Sequence, residues 1–155
     1  MIFSSALSYL ALVLTAGTLI YAAIIDLKEF KISNEVVIIL SVLFVFHAGI
    51  NGEWARIPWN IGLAICVLAL LLMFYLPGHV GGGDVKILTV AFMWTGIDCA
   101  FAFSVLLLVF VVLHLAAVKF GLVQFAHPER ARANRVAFAP SIAGALIGAF
   151  ILGCR

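Results

Sequence analysis

The chain has 155 residues, 66% of them hydrophobic and only 10% charged, and its mean hydropathy is +1.27. Soluble domains carry about 25% charged residues, so these values exclude a water-soluble globule, a disordered chain and a disulfide scaffold. Nine basic and seven acidic residues leave a net charge of +2. No basic run is dense enough to track nucleic-acid phosphates, so nucleic acid is excluded as a partner. What remains is an all-α integral membrane protein in a lipid bilayer, one transmembrane domain over 1–155. At about 20 apolar residues per helical crossing, the length holds a bundle of six transmembrane helices with short loops.

The first apolar stretch, 7–25, is read as a retained span, because Met1 to Ser8 contains no Lys or Arg and so lacks the basic start of a secretory signal. It ends at Asp26, Lys28, Glu29 and Lys31. The second, 36–50, stops at Asn51-Gly52-Glu53. Trp54 and Trp59 lie in the following break and suit an aromatic belt at the membrane interface. The third span, 61–76, is closed by Pro77-Gly78, and the loop His79-Val80-Gly81-Gly82-Gly83-Asp84-Val85-Lys86 follows.

From 87 to 118 the chain is apolar apart from Asp98. One long span or two shorter ones would fit. Two spans, near 85–97 and 100–118, put the breaks at 26–35, 77–86 and 119–135 on one face. That face then holds Lys28, Lys31, Lys86, Lys119, Arg130, Arg132 and Arg135, leaving Arg56 and Arg155 opposite. A single span would remove this bias, so the positive-inside rule favours two. The fourth span is then short. The sixth, 136–153, contains Pro140 and the small residues Gly144, Ala145, Gly148 and Ala149, which let helices approach closely in lipid. Both termini face away from the cytoplasm. There is no internal repeat. Cys66, Cys99 and Cys154 form no C-x-x-C pair, so neither a zinc nor a thioredoxin-like site is supported. They are read as small apolar fillers.

No Asp, Glu, Lys or Arg falls near the middle of a span, which argues against an ion-coupled transporter with a midplane site. The acids sit at span ends, and two of them abut spans directly. Asp26 closes the first and Asp84 opens the fourth, at the same depth on the same face. Two carboxylates a few ångströms apart share one proton rather than both ionising. One can then draw a proton from water while the other polarises a peptide carbonyl. That is aspartic-protease chemistry, and it needs no metal and no cofactor. The alternative is that both are solvated caps at span ends. Gly81-Gly82-Gly83 immediately before Asp84 favours the first reading, because residues without Cβ let another backbone approach closely. A phosphate cradle is not supported, since the run lacks a G-x-x-x-x-G-K-[ST] pattern.

Gly81-Gly82-Gly83-Asp84-Val85-Lys86 resembles the G-x-G-D-x-K signature of the type IV prepilin peptidases, the GxGD class of intramembrane aspartyl proteases. Asp26-Leu27-Lys28-Glu29-Phe30-Lys31-Ile32-Ser33-Asn34 is similar to that family's other signature, an Asp at a span end followed by a basic stretch and I-P-N. Phe138-Ala139-Pro140, with Gly144 beyond, resembles a looser third element. Ser33 stands where the family has Pro, a departure that bears on the rigidity of the loop after Asp26. The break 26–35 also lacks the cytoplasmic domain with paired cysteines that long members carry. The sequence therefore resembles the short CpaA/TadV-like form associated with Flp-type pili in Tad systems, and it offers no basis for methyltransferase activity.

The resemblance implies a bacterial inner-membrane endopeptidase with Asp26 and Asp84 as its catalytic pair at the cytoplasmic membrane edge. The implied substrate is a prepilin or pseudopilin with an N-terminal hydrophobic helix, and pilus assembly machinery is an implied partner. Gly81 and Gly83 would shape the loop. Lys86 and Lys31 would orient carboxylates or meet lipid phosphates, and Asn34 and Pro140 would shape the site. A non-catalytic assembly subunit with the same fold is the remaining alternative. His47 and His114 are read as packed or interfacial, His79 as a loop residue rather than a substrate contact, and His127 as solvated. Arg130, Arg132 and Arg135 serve topology and anionic lipid contact. Trp94, like Trp54 and Trp59, is read as an interface anchor.

Overall fold

A computed structural model describes residues 2–78, 80–122 and 137–154. The residues His79, His127, Glu129, Arg130, Arg132, Arg135 and Arg155 lie outside these, as does the expected start of the last span.

The first helix, α1 (Ile2–Glu29), is apolar through most of its 28 residues and carries Lys28 in its last turn, where a cation complements the helix dipole. It stops because Phe30 takes a left-handed conformation, φ 53°, with its N–H donated to the Asp26 carbonyl at 2.9 Å. A short link leads to α2 (Asn34–Ile50), and Ser33 caps it. The Ser33 backbone is extended and its hydroxyl accepts the Val36 N–H at 3.4 Å. The departure from Pro at Ser33 thus leaves the loop after Asp26 anchored by a side-chain cap. α2 runs back along α1, and the turn beyond it uses Gly52 at φ 73°. Pro58 then sits in the first turn of α3 (Ile57–Tyr75), where its missing N–H costs nothing.

α4 (Gly82–Lys119) is a continuous helical run of 38 residues except at Gly96, whose φ of 61° and ψ of −172° are not helical. A side chain at Gly96 would be strained by that φ, and a Cβ there would lie 2.6 Å from Asn60 Oδ1 on α3. The break sends the second half of α4 back along the first. Phe92 and Phe103 stand on either side of it with ring centroids 5.0 Å apart. The last helix, α5 (Ala139–Ile151), packs against α4 and α1, while α3 packs on α4 and α2 on α1. Leu19, Leu40, Ile87, Phe103 and Leu146 fill the shared core.

The architecture is therefore all-helical, with five helical elements among the described residues, the fourth of which joins two helices across a kink. The expected fourth and fifth spans form one element broken at Gly96, close to where the sequence suggested a turn. α1 from Ser4 to Glu29, α3 and α4 are long and apolar enough to cross a membrane. They leave large apolar side chains such as Val13, Met73 and Leu108 exposed, as lipid contact requires.

Two further expectations need correction. Cys99 and Cys154 are not fillers; they form a disulfide with Cα atoms 5.8 Å apart, tying the turn of α4 to the end of α5, while Cys66 is free and exposed. Trp94 is not an interface anchor. It is 3% exposed, donates its indole N–H to the Leu40 carbonyl at 3.0 Å, and packs against Phe44, His47 and Phe150. His47 is packed, as expected, and hydrogen-bonds Ser8 at 3.1 Å. Arg56 meets Glu53 at 3.5 Å and Asp98 at 3.4 Å at this disulfide end of the bundle. These exposed pairs contribute at most about 1 kcal/mol.

Two glycines should respond oppositely to one added methyl group. Gly96→Ala combines a positive φ with a close approach, and should cost at least about 1–3 kcal/mol. Gly62 lies inside α3, and nothing stands within 4 Å of where its methyl group would be, so Gly62→Ala should raise stability by about 0.5–1 kcal/mol. Thermal melting of the detergent-solubilised variants measures both.

Candidate active site

Asp26 lies in the last turn of α1, yet only 5% of it is exposed. Its carboxylate Oδ2 accepts the backbone N–H of Ala139 at 3.1 Å. Ala139 opens α5, Pro140 follows in the first turn, and Phe138 at the N-cap offers no side-chain cap. The first N–H groups of a helix lack intrahelical acceptors and carry the positive end of its dipole. Asp26 supplies an anionic acceptor there from 113 residues away in the chain, so the first helix caps the last.

Asp84 stands in the first turn of α4. Its carboxylate takes a hydrogen bond from the Gly81 backbone and lies within electrostatic reach of Asp26. It is half-buried, unlike the enclosed Asp26. The glycine run has a separate reason at each position. Gly81 is extended at the N-cap of α4, and a Cβ there would come within 2.8 Å of Asp84 Oδ2. At Gly82 a Cβ would meet the Tyr75 ring at 3.3 Å. At Gly83 it would meet Ile32 side-chain and backbone atoms at 3.3–3.4 Å. Gly83 thus lets the α4 start close onto the link that follows Asp26.

A second tie joins the same two segments. Lys86 Nζ donates to Asn34 Oδ1 at 2.8 Å. Lys86 thus links the start of α2 to the start of α4. Lys31 is exposed and, among the described residues, makes no hydrogen bond or ion pair. Pro140 sets the start of α5. Gly144 permits close packing, since a Cβ there would lie 2.7 Å from the Phe110 ring. Of the residues singled out from sequence, Asp26, Asp84, Gly81, Gly83, Asn34, Lys86 and Pro140 therefore gather at one end of the bundle, away from the disulfide.

Sequence reasoning missed three participants. The Ala139 N–H is a backbone donor with no side-chain signature; its one signal is Pro140, which marks a helix start beside it. Tyr75 packs against Gly82 and looks like an ordinary apolar residue in the sequence, and Ile32, noted there only as part of the motif after Asp26, packs against Gly83. Among the described residues, no three His, Cys, Asp or Glu side chains come together as a metal set would. The arrangement presents two carboxylates, each oriented by a backbone N–H, beside a chain segment with little side-chain bulk.

Residues 13–123 match the type IV leader peptidase family. The chain belongs to that family, and so to a family of peptidases. The match contains both aspartates, the glycine run, Asn34 and Lys86, whereas Ala139, Pro140 and Gly144 lie beyond it. No curated protein and no solved structure matches the chain significantly.

For a leader peptidase built this way, Gly81 is more sensitive than Gly82. Gly81→Ala forces the Asp84 carboxylate aside, and misplacing a reacting group by about 1 Å costs on the order of a hundredfold in rate. Gly82→Ala asks only a partly exposed Tyr75 ring to shift by a few tenths of an ångström. Peptidase assays on the two variants, normalised to folded protein, should show the first nearly inactive and the second close to wild type.

Proposed function

We propose that this peptidase is a membrane-embedded aspartic endopeptidase that removes the leader of type IV prepilins or pseudopilins of the Flp type. It acts in a bacterial inner membrane, with Asp26 and Asp84 as the catalytic pair at the cytoplasmic edge. The observation that supports the reading is that Asp84 lies within electrostatic reach of Asp26 beside the glycine run, within a chain of the leader peptidase family.

In the proposed mechanism the pair holds one proton. The ionised carboxylate takes a proton from a water as its oxygen attacks the scissile carbonyl carbon. The protonated carboxylic acid gives its proton to the carbonyl oxygen, forming a neutral gem-diol. Collapse of that intermediate breaks the C–N bond. One proton then passes from the pair to the leaving amine, and one returns from the gem-diol hydroxyl. The products are a carboxylic acid and an amine, and the pair ends as it began. Because the two groups titrate together, base and acid are roles of the pair rather than of either residue. The Ala139 and Gly81 N–H groups keep both carboxylates oriented through the cycle.

Orientation is supported from both ends. Lys28, Lys31, Lys86 and Lys119 lie at the ends of α1 and α4 or in the link after α1, on the side of the aspartates, as the positive-inside rule asks of a cytoplasmic face. The Cys99–Cys154 disulfide lies at the opposite end, and disulfides persist in oxidising compartments. A prepilin cut at the edge of its hydrophobic helix would meet the pair without leaving the bilayer, and the link 30–33 leaves no room for a methyltransferase domain.

The test is cleavage of a co-expressed Flp-type prepilin, read as a mobility shift, by wild type, Asp26→Asn and Asp84→Asn at equal membrane levels. Asn keeps an acceptor for the backbone N–H, so the fold should survive. Wild type should cut, and each variant should lose on the order of 10²–10⁴-fold in rate, as loss of a general acid or base does. Two active variants would make the pair structural, and an inert wild type would favour an assembly role.

A further inference from the structure

Among the described residues, His114 Nε2 is a buried side-chain nitrogen with no hydrogen-bond partner. Leaving a polar group buried and unpaired costs about 1–3 kcal/mol, and native structures keep few of them. Along the second half of α4, Leu106, Phe110 and His114 recur every fourth residue and share one face. That face packs on α5. A Cβ at Gly148 would lie 3.5 Å from Leu106 Cδ1 and one at Gly144 2.7 Å from Phe110 Cδ1. Ser141 Oγ also donates to the Phe110 carbonyl at 3.5 Å.

The helices are antiparallel, so each four-residue step forward along α4 is a four-residue step back along α5. Continuing the register of Leu106–Gly148 and Phe110–Gly144 by one such step sets the position of His114 opposite that of Pro140. Pro140 adjoins Ala139, whose N–H holds Asp26. His114 is therefore level with the catalytic pair, on the α4 face turned toward the start of α5.

We propose that His114 is a substrate-binding residue of this site, its Nε2 kept for a main-chain peptide group of the segment that enters beside Asp26. The inference rests on the reading of Asp26 and Asp84 as the catalytic pair. A peptide bond can be cut only in an extended or unwound segment, whose N–H and C=O groups have lost their helical partners. Within a non-polar site those groups need protein partners. An imidazole Nε2 either donates to a carbonyl or accepts from an N–H, according to its tautomer.

The experiment compares full-length wild type, His114→Leu and His114→Gln in membranes, with an Flp-type prepilin as substrate. It measures KM, kcat and the thermal midpoint, and Asp26→Asn is carried alongside. Leu removes the orphaned nitrogen while keeping apolar bulk, so the midpoint should hold or rise. KM should climb about tenfold, as expected for one lost hydrogen bond to substrate, with kcat within about twofold of wild type. Gln restores a polar group and should recover most of the KM. A Leu variant with wild-type KM overturns the proposal. So do Leu and Gln variants whose activity falls only in step with a lowered midpoint, since that marks a packing role. If wild type leaves the prepilin uncut, or Asp26→Asn cuts it, the reading of the pair fails and this proposal falls with it. Those controls separate that failure from a failure of His114 alone.

Discussion

The hydrogen bond from the Ala139 N–H to Asp26 joins the last helix to the first across most of the chain. Hydrogen bonds to charged groups contribute about 1.5–3 kcal/mol, and here the acceptor also faces the positive end of α5. The bond fixes where α5 begins, how deep Asp26 sits and which way its carboxylate points. Pro140 and the small residues of α5 allow that placement, because the helix can lie close against α4 and α1. At the other end the Cys99–Cys154 disulfide ties α5 to the turn of α4. One helix is thus held at both ends, by a charge–dipole contact on the side of the aspartates and by a covalent bond on the other.

Gly96 is the second constraint. Without a break, α4 would run about 57 Å at 1.5 Å per residue, far beyond the roughly 30 Å core of a bilayer. Its positive φ and the close Asn60 side chain return the second half toward the aspartates. That return sets Leu106 and Phe110 against Gly148 and Gly144 of α5. It also lets the α4 start, with Gly83 against Ile32 and Lys86 on Asn34, meet the link after α1. Backbone contacts bear most of the positioning.

Much of this was legible from hydropathy and charge. Apolar run lengths, the bias of basic residues and the acids at span ends led to an all-helical membrane bundle with Asp26 and Asp84 on one face. The turn near Gly96 was visible as a polar interruption in an apolar run. Features that depend on partners distant in the chain stayed hidden. Nothing in the spacing of Cys99 and Cys154 marks them as bonded, since their separation of 55 residues is no metal or redox motif. Trp94 near a span end has the sequence appearance of an interface residue, but the fold closes α2 and α5 around it. Ser33 looked like a loss of rigidity because only its difference from Pro was visible, not the hydroxyl cap it supplies.

The central claim is that Asp26 and Asp84 act as one unit. Its most direct test is the single-turnover cleavage rate of Asp26→Asn, Asp84→Asn and the double variant on one prepilin. A pair that shares one proton fails completely when either member is lost, so the double variant should cut no more slowly than the slower single one, within a few-fold. Losses that multiply in the double variant would show two independent contributions and contradict the account.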